Sequence, residues 1–473
     1  MVVGLLAVSG AYGFHRDELY FIVAGRHPAF GYVDQPPLTP LISAAAAGLL
    51  GVSATAVRVL PALAVGLIAI LTALMARDLG GTRRAQLVAS VTVAASGYLA
   101  VGHLDDTAEY DLLVWSIILW LLVRLLAGGD RRLWLGVGVA AGIGLENKDT
   151  LLLLGAGLAA GILVARRWDL VRSPWVWAAV GIAILIWIPN LAWEAANDFP
   201  QFTMASHIAG NADDNRSQIV PLLWLFTGPF VFVVSLAGWL WMLRAKAAAP
   251  WRPIGIASVV VLALVVVTGG KGYYAVGIVP PFMAAGAVLT DRWMDRGRRR
   301  LRAGAFIVAA ALSCALVAYL TLPILPIAAF ASSSLPATFP DSAEQVGWPA
   351  LVATVEGVVA GLSPADRAQA VILTNNYGEA GALELLGSGL PPVYSGHNSW
   401  WGWGPPPADR TVVVHVGDWT DGDWMPYFED CETITHIDDG VGVENQEQGQ
   451  AISVCHGLRQ PWAAMWPSFR HID

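Results

Sequence analysis

Apolar runs recur through the first 322 residues, at 55–76, 85–102, 108–127, 175–193, 218–243, 253–269, 273–290 and 304–322. A helix needs about 20 apolar residues to cross the hydrocarbon core, and it is the one open-chain element that satisfies its own backbone there. Repetition of that pattern excludes an ordinary soluble domain. The chain is 56% hydrophobic and only 14% charged, against roughly 25% charged in soluble domains, so it reads as a polytopic α-helical membrane protein. The stretch 133–164 differs, because Glu146-Asn147-Lys148-Asp149 interrupts it. Its two short arms predict a broken or re-entrant hairpin, tolerated at depth only beside protein or a water-filled cavity. With that hairpin the expectation is about 10–12 membrane helices. The interrupting turn is read as a simple salt-bridged cytoplasmic turn, Lys148 paired with Glu146 and Asp149.

The formal charge of −8 hides a segregation. Arg77, Arg83 and Arg84, Arg131 and Arg132, Arg166, Arg167 and Arg172, Arg244, Lys246 and Arg252, and Arg292 to Arg300 fall in loops on one side if the hairpin is an even crossing. By the positive-inside rule that side is the cytoplasm. Residues 14–54, the turn at His103–Thr107, the loop Glu194–Ser217, the turn Gly269–Gly272 and everything after about residue 323 then lie outside. The expected location is the cytoplasmic (inner) membrane, multi-pass, and no nucleic-acid partner is expected. Met1–Gly13 is too short to cross by itself, which leaves open a start lost upstream or a helix only partly submerged.

The expected domains are a membrane domain over 1–322, with 14–54 as its first extracytoplasmic loop, and a soluble domain over 323–473. Val371–Leu373, Pro392–Tyr394 and Thr411–Val416 read as strands and Gly378–Leu386 as a helix, a small α/β module hinged near 331–340. Cys314 sits in an apolar run, whereas Cys431 and Cys455, 24 residues apart in the tail, can close a disulfide if the tail is outside the cytoplasm.

The most informative polar feature is Asp17-Glu18, directly after the first apolar segment. Carboxylates there are costly unless they face water, substrate or a partner. His15-Arg16-Asp17-Glu18-Leu19-Tyr20 and Gly31-Tyr32-Val33-Asp34-Gln35-Pro36-Pro37-Leu38 resemble the GT-C membrane glycosyltransferases, within them the branch of protein O-mannosyltransferases and bacterial aminoarabinose transferases. That branch has an acidic pair in the first extracytoplasmic loop and a Pro-Pro-Leu segment leading into the second helix. The resemblance extends through Lys271-Gly272-Tyr273-Tyr274, Thr374 to Ala380 and Ser395 to Ser399, so it covers essentially the whole chain. It implies transfer of a monosaccharide from a polyprenyl-phosphate carrier to an extracytoplasmic lipid, glycan or protein acceptor, with inversion. The aminoarabinose transferases place a lysine just before Pro-Pro-Leu; here Gln35 stands there, so that subgroup's donor-phosphate contact and its aminoarabinose donor do not carry over on this residue.

Such a transfer needs a general base within hydrogen-bond reach of the acceptor hydroxyl, and Asp17 is the candidate. Glu18 joins it as a catalytic residue, while Glu18 and Asp34 position substrate or Asp17 itself. The leaving phosphate needs positive charge, from Lys271 first, with Arg16 and Arg26 on the same face. Tyr273, Tyr274 and Gln35 are candidate substrate contacts, as is His207 in a segment read either as a lid or as an amphipathic surface helix. No cofactor is implied beyond a divalent cation that Asp105 and Asp106 are placed to hold; helix capping is the competing reading of that pair. Trp400, Trp401 and Trp403 either stack on sugar or rest on headgroups, and Asn375, Tyr377, Glu379, His397 and Asn398 either shape an acceptor surface or stabilise turns. The runner-up function is a transporter or flippase of lipid-linked sugar, since broken helices and intramembrane charges also mark transport paths. A third is a non-catalytic scaffold whose tail recruits a cell-wall partner.

Overall fold

The computed structural model describes residues 1–419 and 422–472, in two compact units: residues 1–6 with 58–322, and residues 7–57 with 323–473. Among the described residues four helices are long and apolar enough to cross a membrane: Ala54–Asp78, Pro174–Ala196, Lys246–Thr268 and Arg299–Thr321. Two bent pairs raise this to six. Thr107–Leu126 has 20 residues but carries Glu109, Asp111 and Arg124, and the arms Leu133–Leu145 and Leu151–Val164 are shorter apolar helices.

The apolar run 218–243 predicts one continuous span, and the structure corrects this. Ala212–Thr227 and Phe232–Arg244 are bent by 100° at their junction. Gly228 there has φ +85° and precedes Pro229, which lacks an amide proton and restricts the residue before it. The run 273–290 is likewise bent by 53° between Gly272–Ile278 and Pro280–Asp295, at Pro280-Pro281. Small residues allow the helix packing. A Cβ on Gly238 would strike the Phe282 carbonyl, and one on Gly286 the Val234 carbonyl. Close backbone approach of this kind is how helices gain packing energy where water supplies no hydrophobic drive.

Within this unit the basic loops meet at one end. Arg84 pairs with Asp291 and with Asp295 at 2.6 Å; Arg131 and Arg167 both hold Asp169 at 2.8 Å; Arg167 also donates to the Pro250 carbonyl at 3.3 Å. Asp78, paired with Arg77 at 3.0 Å, also accepts from Trp120 at 3.0 Å. The start of Thr107–Leu126 lies at the other end of a helix about 30 Å long.

In the second unit β1 (Ala370–Thr374), β2 (Val393–Ser395), β3 (Val412–Val416), β4 (Phe428–His436) and β5 (Ala451–Leu458) form one sheet, ordered β2-β1-β3-β5-β4. The first three pair in parallel, whereas β5 runs antiparallel to β3 and β4. Strands β1 and β3 are buried throughout, as parallel strands covered on both faces should be. Ile372, Val414 and Val416 pack with Val355, Leu383, Leu19 and Ile22, and the alternate residues Val371, Leu373 and Val413 with Phe428, Trp462 and Trp466. Leu19 and Ile22 belong to the first-loop helix Arg16–Arg26, which is thus part of the core of the tail's own unit. Cys431 and Cys455 face each other across β4 and β5 and are bonded. Strand β4 had no apolar signature because it is an edge strand with Glu429, Asp430 and Glu432 exposed, the charged edge that blocks unwanted pairing.

Candidate active site

The helix Arg16–Arg26 begins with a capping box. His15, extended at φ −77° and ψ 151°, is the N-cap, and its backbone N–H donates to Glu18 Oε2 at 2.7 Å. Glu18 is wholly buried. One of the two adjacent acids therefore closes a helix terminus, and the other, Asp17, is left to the site, with its side chain 26% exposed.

Asp17 is oriented by groups distant in sequence. Tyr377 Oη donates to Asp17 Oδ1 at 2.7 Å. Arg16 donates to the same hydroxyl from Nε and Nη2 at 3.2 and 3.0 Å, lies 4.9 Å over the Tyr377 ring, and reaches Glu344 at 3.6 Å and Gln446. The Arg16 charge is thus already opposed within the unit. His15 stands between two carboxylates, with Nε2 3.2 Å from Glu344 Oε2 and Nδ1 3.7 Å from Asp17 Oδ2. Burial disfavours its charge, but Asp17 and Glu344 outweigh that and lift it from 6.5 to about 9. The 3.3 Å contact of Nδ1 with the Asp17 N–H belongs to the neutral ring and gives way when the cation forms.

Asp34 accepts from Tyr20 Oη at 2.8 Å and from Asn398 Nδ2 at 3.4 Å. Burial raises its carboxyl to about 7; the Tyr20 bond opposes this, and the Asp17 charge adds to it. Tyr20 and Tyr377 pack with ring centroids 4.7 Å apart, so the two acids are linked through a pair of phenols. Asn398 holds φ +48°, an uncommon conformation for a non-glycine residue, of a kind found at functional sites. Gln35 is 5% exposed, and its amide Nε2 is buried without a hydrogen-bond partner among the described residues.

In the other unit, Lys148 is not the salt-bridged partner of Glu146 and Asp149. Its ammonium donates to Thr107 Oγ1 at 2.7 Å and Tyr273 Oη at 3.4 Å, and lies 5.1 and 5.5 Å from the Tyr273 and Tyr274 rings. Asn147 donates to the Thr107 carbonyl at 2.8 Å, and Thr150 to Asp111 at 2.8 Å. The hairpin turn therefore sits at the Thr107 end, opposite the basic loops. Lys271 is exposed, within electrostatic reach of Lys148, Tyr273 and Tyr274, and makes no ion pair among the described residues. Asp106 is the N-cap of Thr107–Leu126 in a capping box with Glu109, and Asp105 accepts from Tyr110 at 2.9 Å. Among the described residues no group of three His, Cys, Asp or Glu is arranged to hold a metal. His207 stands exposed on Pro200–Gly210, where the adjacent Ile208 carbonyl and the Gly269 carbonyl both accept from the Asn215 amide, at 2.9 and 2.8 Å.

The tryptophans pack within the tail's own unit. Trp403 stacks on His27 at 4.3 Å and packs with Trp400 at 4.8 Å, and Trp401 exchanges indole-to-carbonyl bonds with Trp466 at 3.0 and 3.1 Å. Glu379 caps the helix Tyr377–Leu386 by accepting from the Asn375 and Asn376 amides at 3.0 and 3.1 Å. Sequence reading missed Tyr20 and Glu344 and misjudged Lys148. Tyr20 was in the motif itself; nothing local marks Glu344.

Residues 34–193 match the family model described as dolichyl-phosphate-mannose-protein mannosyltransferase. The chain is 26% identical over 293 residues to the undecaprenyl phosphate-alpha-4-amino-4-deoxy-L-arabinose arabinosyl transferase 2 of Pseudomonas fluorescens. That match covers 56% of this chain and about half, 52%, of the curated relative. In fold it is similar to the ArnT of Cupriavidus metallidurans bound to undecaprenyl phosphate, with TM-score 0.59, 16% identity and 96% of each chain covered. It is also similar to the arabinofuranosyltransferase AftD from Mycobacteria, with TM-score 0.52, 13% identity, and 96% of this chain but 39% of that one covered. These likenesses establish the fold over essentially the full length of the chain.

Proposed function

We propose, on the premise that this membrane protein belongs to the GT-C glycosyltransferase superfamily and is aminoarabinose-transferase-like, that it transfers a monosaccharide from a polyprenyl-phosphate carrier to an extracytoplasmic acceptor. The observation that carries this reading is Asp17: a partly exposed carboxylate in the first-loop motif, held by Tyr377 while its neighbour Glu18 is spent on a helix cap. Asp17 takes the proton from the acceptor hydroxyl as it attacks the anomeric carbon. Tyr377 and Arg16 orient the carboxylate, and Asp34 holds Tyr20 and Asn398 in place around it. The bond from the anomeric carbon to the phosphate oxygen breaks as the acceptor oxygen bonds, and the polyprenyl phosphate is itself a good leaving group, so a single displacement with inversion needs no second acid. Lys271, backed by Lys148 and the two tyrosines, neutralises the phosphate.

The orientation belongs to the same reading. The arginine-rich end of the membrane unit faces the cytoplasm, which puts the Thr107, Lys148 and Lys271 end outside. A disulfide in the tail's unit fits an oxidising compartment. Mass spectrometry of lipid co-purified with the protein, followed by reconstitution with that lipid, tests the function. A bound polyprenyl-phosphate sugar and a glycosylated acceptor are expected; vesicles that move labelled lipid across the bilayer without forming product would overturn it.

A further inference from the structure

The sheet of the second unit has a topological switch point. From β1 the chain runs through the helix Tyr377–Leu386 to β2 on one side, then crosses to β3 on the other. Between β1 and β3 the connections diverge, and in α/β sheets the crevice at the carboxyl ends of such strands is where ligands bind. A partly open cleft of about 370 Å³ lies there, within the range of small-molecule sites. Its lining includes Asn375 directly after β1, together with Trp419, Asp423, Tyr427, Ser468 and Phe469.

The lining is built rather than incidental. His415 Nε2 bonds Asn375 Oδ1 at 3.1 Å, and Asn375 Nδ2 donates to the Asp418 carbonyl at 3.0 Å, fixing the amide. Gly417 holds φ +117°, and a Cβ there would run into that same amide. His415 is buried and stacks on Trp419 with centroids 3.5 Å apart. Burial holds it neutral, down to about 3. A phosphate-bearing ligand is excluded by the helix end beside the cleft. The amides of Asn375 and Asn376, which would cradle an anion at a helix N-terminus, already donate to the Glu379 carboxyl, and the cleft lining carries the acidic Asp423. What remains is aromatic surface next to neutral and anionic hydrogen-bonding groups, a combination that suits apolar ring faces and hydroxyl edges together.

We propose that this cleft is a second saccharide site, binding one uncharged sugar ring of a glycan at a place separate from Asp17. A chain of rings joins the two. His471 Nε2 donates to the Asn375 carbonyl at 2.9 Å and its ring stacks on His397 at 4.5 Å, and His397 packs 4.5 Å from Tyr377. The inference does not depend on Asp17 being the base. The test is saturation-transfer NMR on the full chain in detergent, with methyl glycosides of mannose, glucose, galactose and arabinose as probes. At least one should bind saturably. Trp419→Ala should weaken it about tenfold or more, as loss of a central aromatic contact does. Ser468→Trp, placed on an exposed residue to fill the cleft, should abolish binding without disturbing the core, and it decides the matter if Trp419→Ala does not fold. Trp403→Ala, outside the cleft, should bind as the parent does. Absence of saturable binding to every probe, binding that survives Ser468→Trp, or competition by inorganic phosphate would overturn the proposal.

Discussion

The Tyr377 hydroxyl donates to Asp17 Oδ1 at 2.7 Å across 360 residues of sequence, so a tail residue of the same unit sets the orientation of the first-loop carboxylate. Burial, and next the Asp17 charge, raise the Tyr377 phenol well above its ordinary value, so it remains a donor throughout the working pH range. Asp17→Asn keeps size and most hydrogen bonding but removes the base, and transfer should fall by roughly two to four orders of magnitude with donor binding retained. Tyr377→Phe removes only the orienting bond and should cost about tenfold in kcat. Single-turnover assays on purified variants measure both; wild-type transfer by Asp17→Asn would move the base to Asp34.

The two lysines should separate from the base by kinetics. Lys271→Ala and Lys148→Ala each remove a cation near Tyr273, and a lost charge-assisted phosphate contact costs about 1.5–3 kcal/mol. The donor KM should rise and kcat should fall, whereas Asp17→Asn lowers kcat alone. Donor titrations at saturating acceptor check this; an unchanged KM in both variants would remove the phosphate role.

Stability of the second unit should decline as pH rises, through two groups with raised values. Asp34 is lifted to about 7, first by burial, so its protonated form stabilises the fold below about 4, and that contribution is lost between about 4 and 7. His15, lifted to about 9 by Asp17 and Glu344 against burial, contributes fully below 6.5, and that contribution is lost as pH passes through about 9. Thermal unfolding across pH 4–10 should show both losses. Asp34→Asn should reduce the lower one, to which the raised carboxyls of Glu379 and Glu447 also contribute, and His15→Gln should remove the upper.

The Cys431–Cys455 bond closes a loop of 24 residues, which in the chain-entropy estimate is worth about 3 kcal/mol. Replacing both with serine should lower the unfolding temperature of the tail unit and leave the helices of the other unit intact by circular dichroism. Non-reducing peptide mapping should find the bond in protein taken directly from membranes. Impermeant thiol labelling should mark cysteines engineered near Asp17 and Asn211 but not near Arg298; the reverse pattern would invert the orientation.

Much of the architecture was legible because its causes are local. Span-length apolar runs, clustered arginines, the interruption at Glu146–Asp149 and the short apolar, β-branched runs of β1 and β3 each act through neighbouring residues and solvent. The Asp17-Glu18 pair was legible as a site for the same reason. Its division of labour was not, because the sequence shows two adjacent carboxylates and only the helix start shows that Glu18 accepts the His15 amide while Asp17 does not. The bend of 100° after Thr227 was not read from the sequence, where 218–243 stands as one apolar run, although Gly228-Pro229 lies at the break.

By its composition and spacing alone, this chain was committed to many membrane helices, an α/β tail and an acidic first loop, since lipid, water and backbone hydrogen bonding act on each segment independently. Tertiary structure alone decided that the first loop packs into the core of the tail's unit, that Tyr377 and Glu344 surround His15 and Asp17, and that Lys148 turns to Thr107 and Tyr273 rather than to its own neighbours. Those contacts join residues tens to hundreds of positions apart, and their partners are chosen by which side chains the fold brings within a few ångströms, a distance no local pattern encodes.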